Sequence, residues 1–324
     1  MPNYQGVWSL TVQMQNASAW PRFSQPRALF MSGEPSSGTF SNVIDYINTS
    51  TLGDASDFGD LSAAKKSVMT VSSFSRAVAA GGRINGSGYD INVIEYVTIA
   101  STGNVTDFGD TTVVCKLGTG TSNETRGLLQ LGLTASTYLN TIEYITIAST
   151  GNATDFGDST VARAYGQDSA LSSPTRAVFG GGYGSSGTVN TIDYVTIGST
   201  GNATDFGDLS VSRYGMGAGS SATRGVFGGG HGSTDGNTID YITIASTGNA
   251  TDFGDLLAAD RYVSGTSNST RAVFGGGQNN VNSARKNVIQ YVTIASTGNA
   301  ADFGDLTVAR GLLSATSGSH GGIA

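Results

Sequence analysis

The tetrapeptide Asp-Phe-Gly-Asp begins at Asp57, Asp107, Asp155, Asp205, Asp252 and Asp302, and this recurrence constrains the fold more than any other feature of the chain. Successive copies lie 50, 48, 50, 47 and 50 residues apart. A second marker keeps the same beat: an Arg followed by a small residue and an apolar run, at Arg27, Arg76, Arg126, Arg176, Arg224 and Arg271. Such self-similarity marks a repeat architecture, in which each unit buries its apolar face only by stacking on neighbours.

The copy spanning residues 209–255 shows what one unit contains. Small residues (Gly215-Met216-Gly217-Ala218-Gly219-Ser220) precede Arg224-Gly225-Val226-Phe227, a short strand that ends in glycines. A loop leads to Thr238-Ile239-Asp240-Tyr241-Ile242-Thr243-Ile244, rich in β-formers. Gly248-Asn249 marks a turn before a last short strand at Asp252-Phe253-Gly254-Asp255. Four short strands per unit follow, with no helical periodicity. The third strand is apolar on both faces apart from one acid, as in a strand sandwiched between neighbouring sheets. The Gly/Ala/Ser strand suits the crowded position where sheets converge on an axis. Six such units predict an all-β, six-bladed β-propeller with four antiparallel strands per blade.

The ends of the chain predict how the ring closes. The first unit lacks an inner strand, whereas residues 306–319 supply a spare one after the last Asp-Phe-Gly-Asp. The C-terminal strand is therefore expected to complete blade one and hide both sheet edges. Residues 21–324 form the propeller on this reading. Residues 1–20 form an N-terminal arm, with Trp8 and Leu10 as docking side chains.

Composition excludes several function classes. The 47 glycines among many Ser, Thr and Asn could signal a linker, but 38% apolar residues recur at fixed places in each unit. Net charge is −7 with 17 Lys plus Arg and no basic run, so the cationic footprint of a nucleic-acid binder is missing. No apolar stretch is long enough for a membrane helix, and no signal peptide is expected. Cys115 stands alone in a strand-like run and reads as a small buried hydrophobe.

The repeat resembles kelch: Arg176-Ala177-Val178-Phe179-Gly180-Gly181-Gly182, then Ile192-Asp193-Tyr194, then Asp205-Phe206. Phe58, Phe108, Phe156, Phe206, Phe253 and Phe303 stand where kelch repeats carry Trp. The wording from Tyr194-Val195-Thr196-Ile197 to Asp205-Phe206-Gly207-Asp208 is similar to kelch-like structural proteins and adhesins of marine bacteriophages, including cyanophages, and so is the opening Tyr4-Gln5-Gly6-Val7-Trp8-Ser9-Leu10-Thr11. The resemblance implies a non-enzymatic virion structural protein, made in the bacterial host cytoplasm and carried on the tail or capsid surface. Its partners would be other virion proteins and host-surface carbohydrate. A tail-associated adhesin leads. Capsid decoration, a glycan-active propeller enzyme and an intracellular kelch-type scaffold are the alternatives.

Binding residues are expected on one face. In a four-stranded blade the second-to-third and fourth-to-first connections emerge together. The third-to-fourth turn barely changes between copies, whereas the second-to-third loop varies in length and content. Fixed scaffolds with varied loops commonly carry binding surfaces; loops drifting under no constraint are the bland alternative. The candidates are Arg83, Tyr89, Tyr138, Tyr183, His231, Gln278, Asn279 and Arg285, whose stacking faces and hydrogen-bonding groups suit sugars.

Other repeated residues read as structural. The third-strand acids Asp45, Glu95, Glu143, Asp193 and Asp240, interrupted by Gln290, could form a metal or catalytic ring. Pairing within a blade with Arg163, Arg213, Arg261 or Arg310 is the structural alternative. Asp205, Phe206 and Asp208 are expected in a turn that bonds its own backbone, helped by Arg176, Arg224 and Arg271. Calcium held by these carboxylates with Asn152, Asn202 and Asn249 is the alternative there. With two histidines, no catalytic residue, metal or cofactor is expected.

Overall fold

A computed structural model describes residues 26–85, 89–166, 168–279 and 283–323. Six antiparallel four-stranded sheets stand in a ring as a six-bladed β-propeller, with no helix among the described residues. Blade four is representative: Ala170–Ser172 innermost, then Arg176–Gly180, Thr191–Thr196 and Thr204–Asp208 at the rim. Blade one is built from both ends of the chain, Ser314–Ser317 pairing with Arg27–Met31 so that Ala28 faces Ser317. The expected closure by the C-terminal strand is therefore present. The arm with Trp8 and Leu10 lies outside the described residues.

Six apolar clusters lie one at each junction between blades, and a smaller seventh lies on the loop face. Between blades four and five, Val178, Ile192 and Phe206 meet Met216, Phe227, Ile242 and Ile244. The Asp-Phe-Gly-Asp motif makes this contact through a bulge. Ile192 pairs with Gly207 and Asp193 with Asp205, so Phe206 has no cross-strand partner and its ring turns into the junction. Burying such a ring stabilises by roughly 1.5–3 kcal/mol. Gly207 has φ +141°, and a Cβ there would lie 2.5 Å from the Gly248 carbonyl of the next blade. Only glycine admits that approach.

The repeated Arg and the repeated turn both act between blades, which corrects the expectation of a self-contained turn. Asn249 Oδ1 accepts the Asp208 N–H across the junction at 3.0 Å, and Ala250 N–H donates to the Asp208 carbonyl. Asn152, Asn202 and Asn299 repeat the first contact, and Asp54 replaces Asn where blade six meets blade one. Arg176 lies over its own Tyr194 ring at 4.2 Å and donates to Ile244 O of blade five at 2.7 Å. Arg224 reaches Ile294 O, and Arg271 reaches Thr49 O across the closing junction. Each Arg–Tyr stack is continued by an edge-on Phe, as in Tyr194–Phe206 at 5.9 Å. The phenyl thus serves as the edge partner of a cation-bearing tyrosine.

The third-strand acids are structural in most blades. Arg163 pairs with Asp193 at 2.7 Å, Arg213 with Asp240 at 2.8 Å and Arg310 with Asp45 at 3.1 Å, all buried. Lys65 does the same for Glu95 at 2.5 Å. Arg261 was misassigned. The equivalent carbonyls of Arg213 and Arg310 accept Gly182 and Gly277 N–H, and Asp260 O accepts Gly230 N–H in the same way. Asp260, one residue earlier than Arg261, therefore occupies the cation position, opposite a strand whose acid is replaced by Gln290. In blade three the position falls to Cys115, and Glu143 accepts from Thr112 with no paired cation among the described residues. Burial raises the Glu143 carboxyl above its ordinary range, against the hydrogen bonds from Thr112. Burial likewise pushes the Cys115 thiol up to about 12, as befits an inert core residue.

The inner strands are tied by a belt of serines. Ser267 Oγ donates to Ser220 O, Ser220 Oγ to Ser172 O, Ser172 Oγ to Ser122 O and Ser122 Oγ to Ser72 O. Ser72 Oγ continues to Ser317 O. Small side chains let six strands converge, and their hydroxyls satisfy backbone that would otherwise be buried unpaired.

Candidate functional site on the loop face

The connections entering the inner strands set the geometry of the loop face. Two residues after the buried cation position the chain turns left-handed at Ser67, Leu117, Tyr165, Gly215, Tyr262 and Leu312. Their peptides link around the axis: Ser67 N–H to Leu312 O, Leu117 N–H to Ser67 O, Gly215 N–H to Tyr165 O and Tyr262 N–H to Gly215 O. Leu117, Ala164 and Leu312 form an apolar cap over the channel mouth, with Leu133, Tyr138, Tyr165 and Tyr262 packed against it. A positive φ on an aromatic residue is uncommon, and two of them occur on this one ring, at Tyr165 (58°) and Tyr262 (56°).

Above the cap lies a tyrosine cluster spanning blades three to six. Tyr183 contacts Tyr138, Tyr165 and Tyr214 with ring centroids 6.2, 6.1 and 5.6 Å away. Tyr214 also meets Tyr165, Tyr262 and His231 at 5.4, 6.1 and 5.3 Å. Local pairing fixes the rings: Tyr183 bridges to Ala164, Tyr214 to His231, and Tyr138 pairs with Leu133. His231 Nδ1 is held by Asp235 at 2.6 Å. Burial, reinforced by neighbouring phenols, pushes Tyr138, Tyr165 and Tyr262 up, so all three stay neutral across physiological pH. The result is a partly exposed surface of aromatic rings with hydroxyl edges. It can stack on flat apolar faces and exchange hydrogen bonds at the margin.

Of the eight candidate loop residues, the structure brings Tyr138, Tyr183 and His231 together. Tyr89 is exposed on blade two and takes part in none of the ring contacts among the described residues. Arg83 bonds Asp90 at 2.8 Å, and Lys116 bonds the same carboxylate at 2.6 Å, so this trio clips the blade-two loop. Arg285 grips Glu34 through its carboxylate at 3.1 Å and its carbonyl at 2.8 Å, tying blade six to blade one. Gln278 is buried in a bridge shared with Arg261 and Arg285, and Asn279 N–H donates to Ala284 O. Sequence reasoning missed Tyr165, Tyr214 and Tyr262, which lie on fourth-to-first connections. The signal was present as a Tyr within two residues of the buried position in three successive units.

The axis beneath the cap carries a second unforeseen residue. Asp168 is fully buried and touches four other blades, through Thr70, Gly217, Ser264 and Ala315. Burial raises its carboxyl to about 7 against the pull of the hydrogen bonds from Ser264, Ala315 and Gly265. The sequence signal is an insertion: Arg163 to Ser172 spans nine steps where Arg213 to Ser220 spans seven. At the other end, residues 319–323 close the channel, with Ile323 buried and His320 Nε2 3.1 Å from Ser122 Oγ. Desolvation holds the His320 imidazole down to about 4.

The sequence matches no family model and no curated protein. Among the described residues no group of three or more His, Cys, Asp or Glu is placed to hold a metal ion. No helix among them is long and apolar enough to cross a membrane.

Proposed function

We propose that the protein is a non-enzymatic adhesin of a bacteriophage particle, whose loop face binds host-surface carbohydrate. The observation that carries the binding reading is the tyrosine cluster around Tyr183 and Tyr214. Five tyrosines and a histidine are gathered on one face of a scaffold latched at every junction, so little order is lost on binding. Three of the rings sit on connections whose backbone is fixed by the belt around the mouth, not on free loops. Stacking faces with hydroxyl margins match the alternating apolar and polar faces of sugar rings. The repeated acids do not serve as a catalytic ring on this reading, because most are spent on buried ion pairs.

The assignment to a virion rests on the wording of the repeat and of the opening residues. Other virion proteins would be its partners, through the N-terminal arm. Immunogold labelling of purified phage particles tests it. Label at the tail supports the adhesin, and label over the head supports capsid decoration instead. Absence of label from every particle overturns the virion assignment.

A further inference from the structure

We propose that the propeller axis contains a binding site for a hard cation of sodium or calcium size, held between Asp168 and Thr70. The inner strands line a cavity of about 30 Å³, with Asp168 and Thr70 towards the loop face and His320 towards the turn face. The space is enough for a water or a bare ion and too small for an organic ligand. Hydroxyls and backbone form most of the wall, and its described lining contains no Lys or Arg. Asp168 is the only acidic residue among the described lining.

The two oxygens of this carboxylate are treated very differently. Oδ2 accepts the Ser264 hydroxyl and the N–H groups of Gly265 at 3.3 Å and Ala315 at 2.7 Å. Among the described residues Oδ1 has one hydrogen-bonding contact, Thr70 Oγ1, at 3.5 Å. A threonine hydroxyl has one proton to give, and Thr70 gives it to Ala315 O at 2.8 Å. With the carboxyl ionised, Oδ1 and Thr70 Oγ1 confront one another as two acceptors with no hydrogen between them. Such a pair is unfavourable in a buried site unless something positive lies beside it.

The separation fits a cation. Adjacent ligands in an octahedral shell with metal–oxygen distances of about 2.4 Å lie about 3.4 Å apart. The 3.5 Å between Oδ1 and Oγ1 is one edge of such a shell. Water and the remaining hydroxyl and carbonyl oxygens of the wall complete it. The two-residue insertion in blade four explains why this carboxylate occurs once, since the other inner-strand connections are shorter and place no acid on the axis. A cation there would join the blades that Asp168 already touches.

The test is a thermal melt of the full chain, first unfolded and refolded in chelator and choline chloride to remove bound metal. NaCl or CaCl₂ is then titrated at constant ionic strength. At a hundredfold excess over Kd the melting temperature is expected to rise by about 5 °C and saturate, in one of the two salts beyond the choline control. Whichever salt acts identifies the ion. Asp168→Asn should abolish the saturable increment. Thr70→Val, which keeps the carboxylate, should shift the titration midpoint at least tenfold. If neither salt acts beyond choline, Oδ1 carries a proton donated to Thr70 and the proposal fails. An increment unchanged in both variants also overturns it.

Discussion

Removing the acid from a third strand should cost very different amounts in different blades, and the structure says which. In blade five Asp240 is fully buried against Arg213 and also accepts the Ser210 hydroxyl at 2.6 Å and N–H at 3.2 Å. Asp240→Asn leaves the Arg213 guanidinium desolvated without a counter-charge. Breaking a buried pair from one side costs about 3–5 kcal/mol. Burial alone already lowers the Arg213 pKa against the pull of Asp240, which shows how far that cation depends on its partner. In blade three Glu143 is just as buried, but Cys115 stands in the cation position and the carboxyl bonds Thr112. Glu143→Gln keeps an acceptor and strands no charge, so about 1 kcal/mol is expected. Urea unfolding of the two variants against wild type measures both values. A difference of at least 2 kcal/mol is predicted. Equal costs would refute the claim that the acid serves the buried cation and not merely the strand.

Gly207→Ala should destabilise by about 2–4 kcal/mol in urea unfolding, since it combines an unfavourable φ with a clash against the neighbouring turn. Deleting residues 306–324 removes the inner strand of blade one and Arg310, and the protein should aggregate; unchanged melting would reject closure by the C-terminal strand. The His320 pKa is depressed from 6.5 to about 4, so its contribution is complete above pH 6.5 and is lost as pH falls through 4. The full shift corresponds to about 3 kcal/mol, and the solvent access left to the ring reduces this to about 1–3 kcal/mol. Wild type should therefore lose that much more than His320→Gln between pH 7 and pH 4, read from urea midpoints in choline buffer. Asp168 shares the cavity and works in the opposite sense, its contribution fading as pH rises through 7, so the variant comparison is what isolates His320.

Blade number, strand order and ring closure were legible because each unit repeats a complete pattern of strand formers and turns. Those features are written locally, in the period and in the spare strand after Leu306. The roles of Arg176 and Asn249 were not legible, because each acts on the next blade and a single unit shows no partner for it. Arg261 was misread for a related reason: a buried cation was sought by residue type, whereas register assigns the position to Asp260. Tyr138, Tyr183 and His231 could be named from loop variability. Their meeting with Tyr165, Tyr214 and Tyr262 depends on the convergence of connections at the axis, which no single repeat encodes. Asp168 was signalled only by a length difference of two residues, and length alone does not say where an inserted carboxylate points.

On the proposed function, the tyrosine cluster around Tyr183 and Tyr214 is the binding surface. Its most direct test is attachment of fluorescently labelled protein to host cells and purified host-surface polysaccharide, comparing wild type with variants on each face. Tyr183→Ala combined with His231→Ala should weaken attachment at least tenfold without changing the melting temperature, whereas Ser199→Ala on the exposed opposite turn should bind like wild type. Undiminished attachment by the loop-face variant, or loss of attachment in the turn-face variant, would contradict the account.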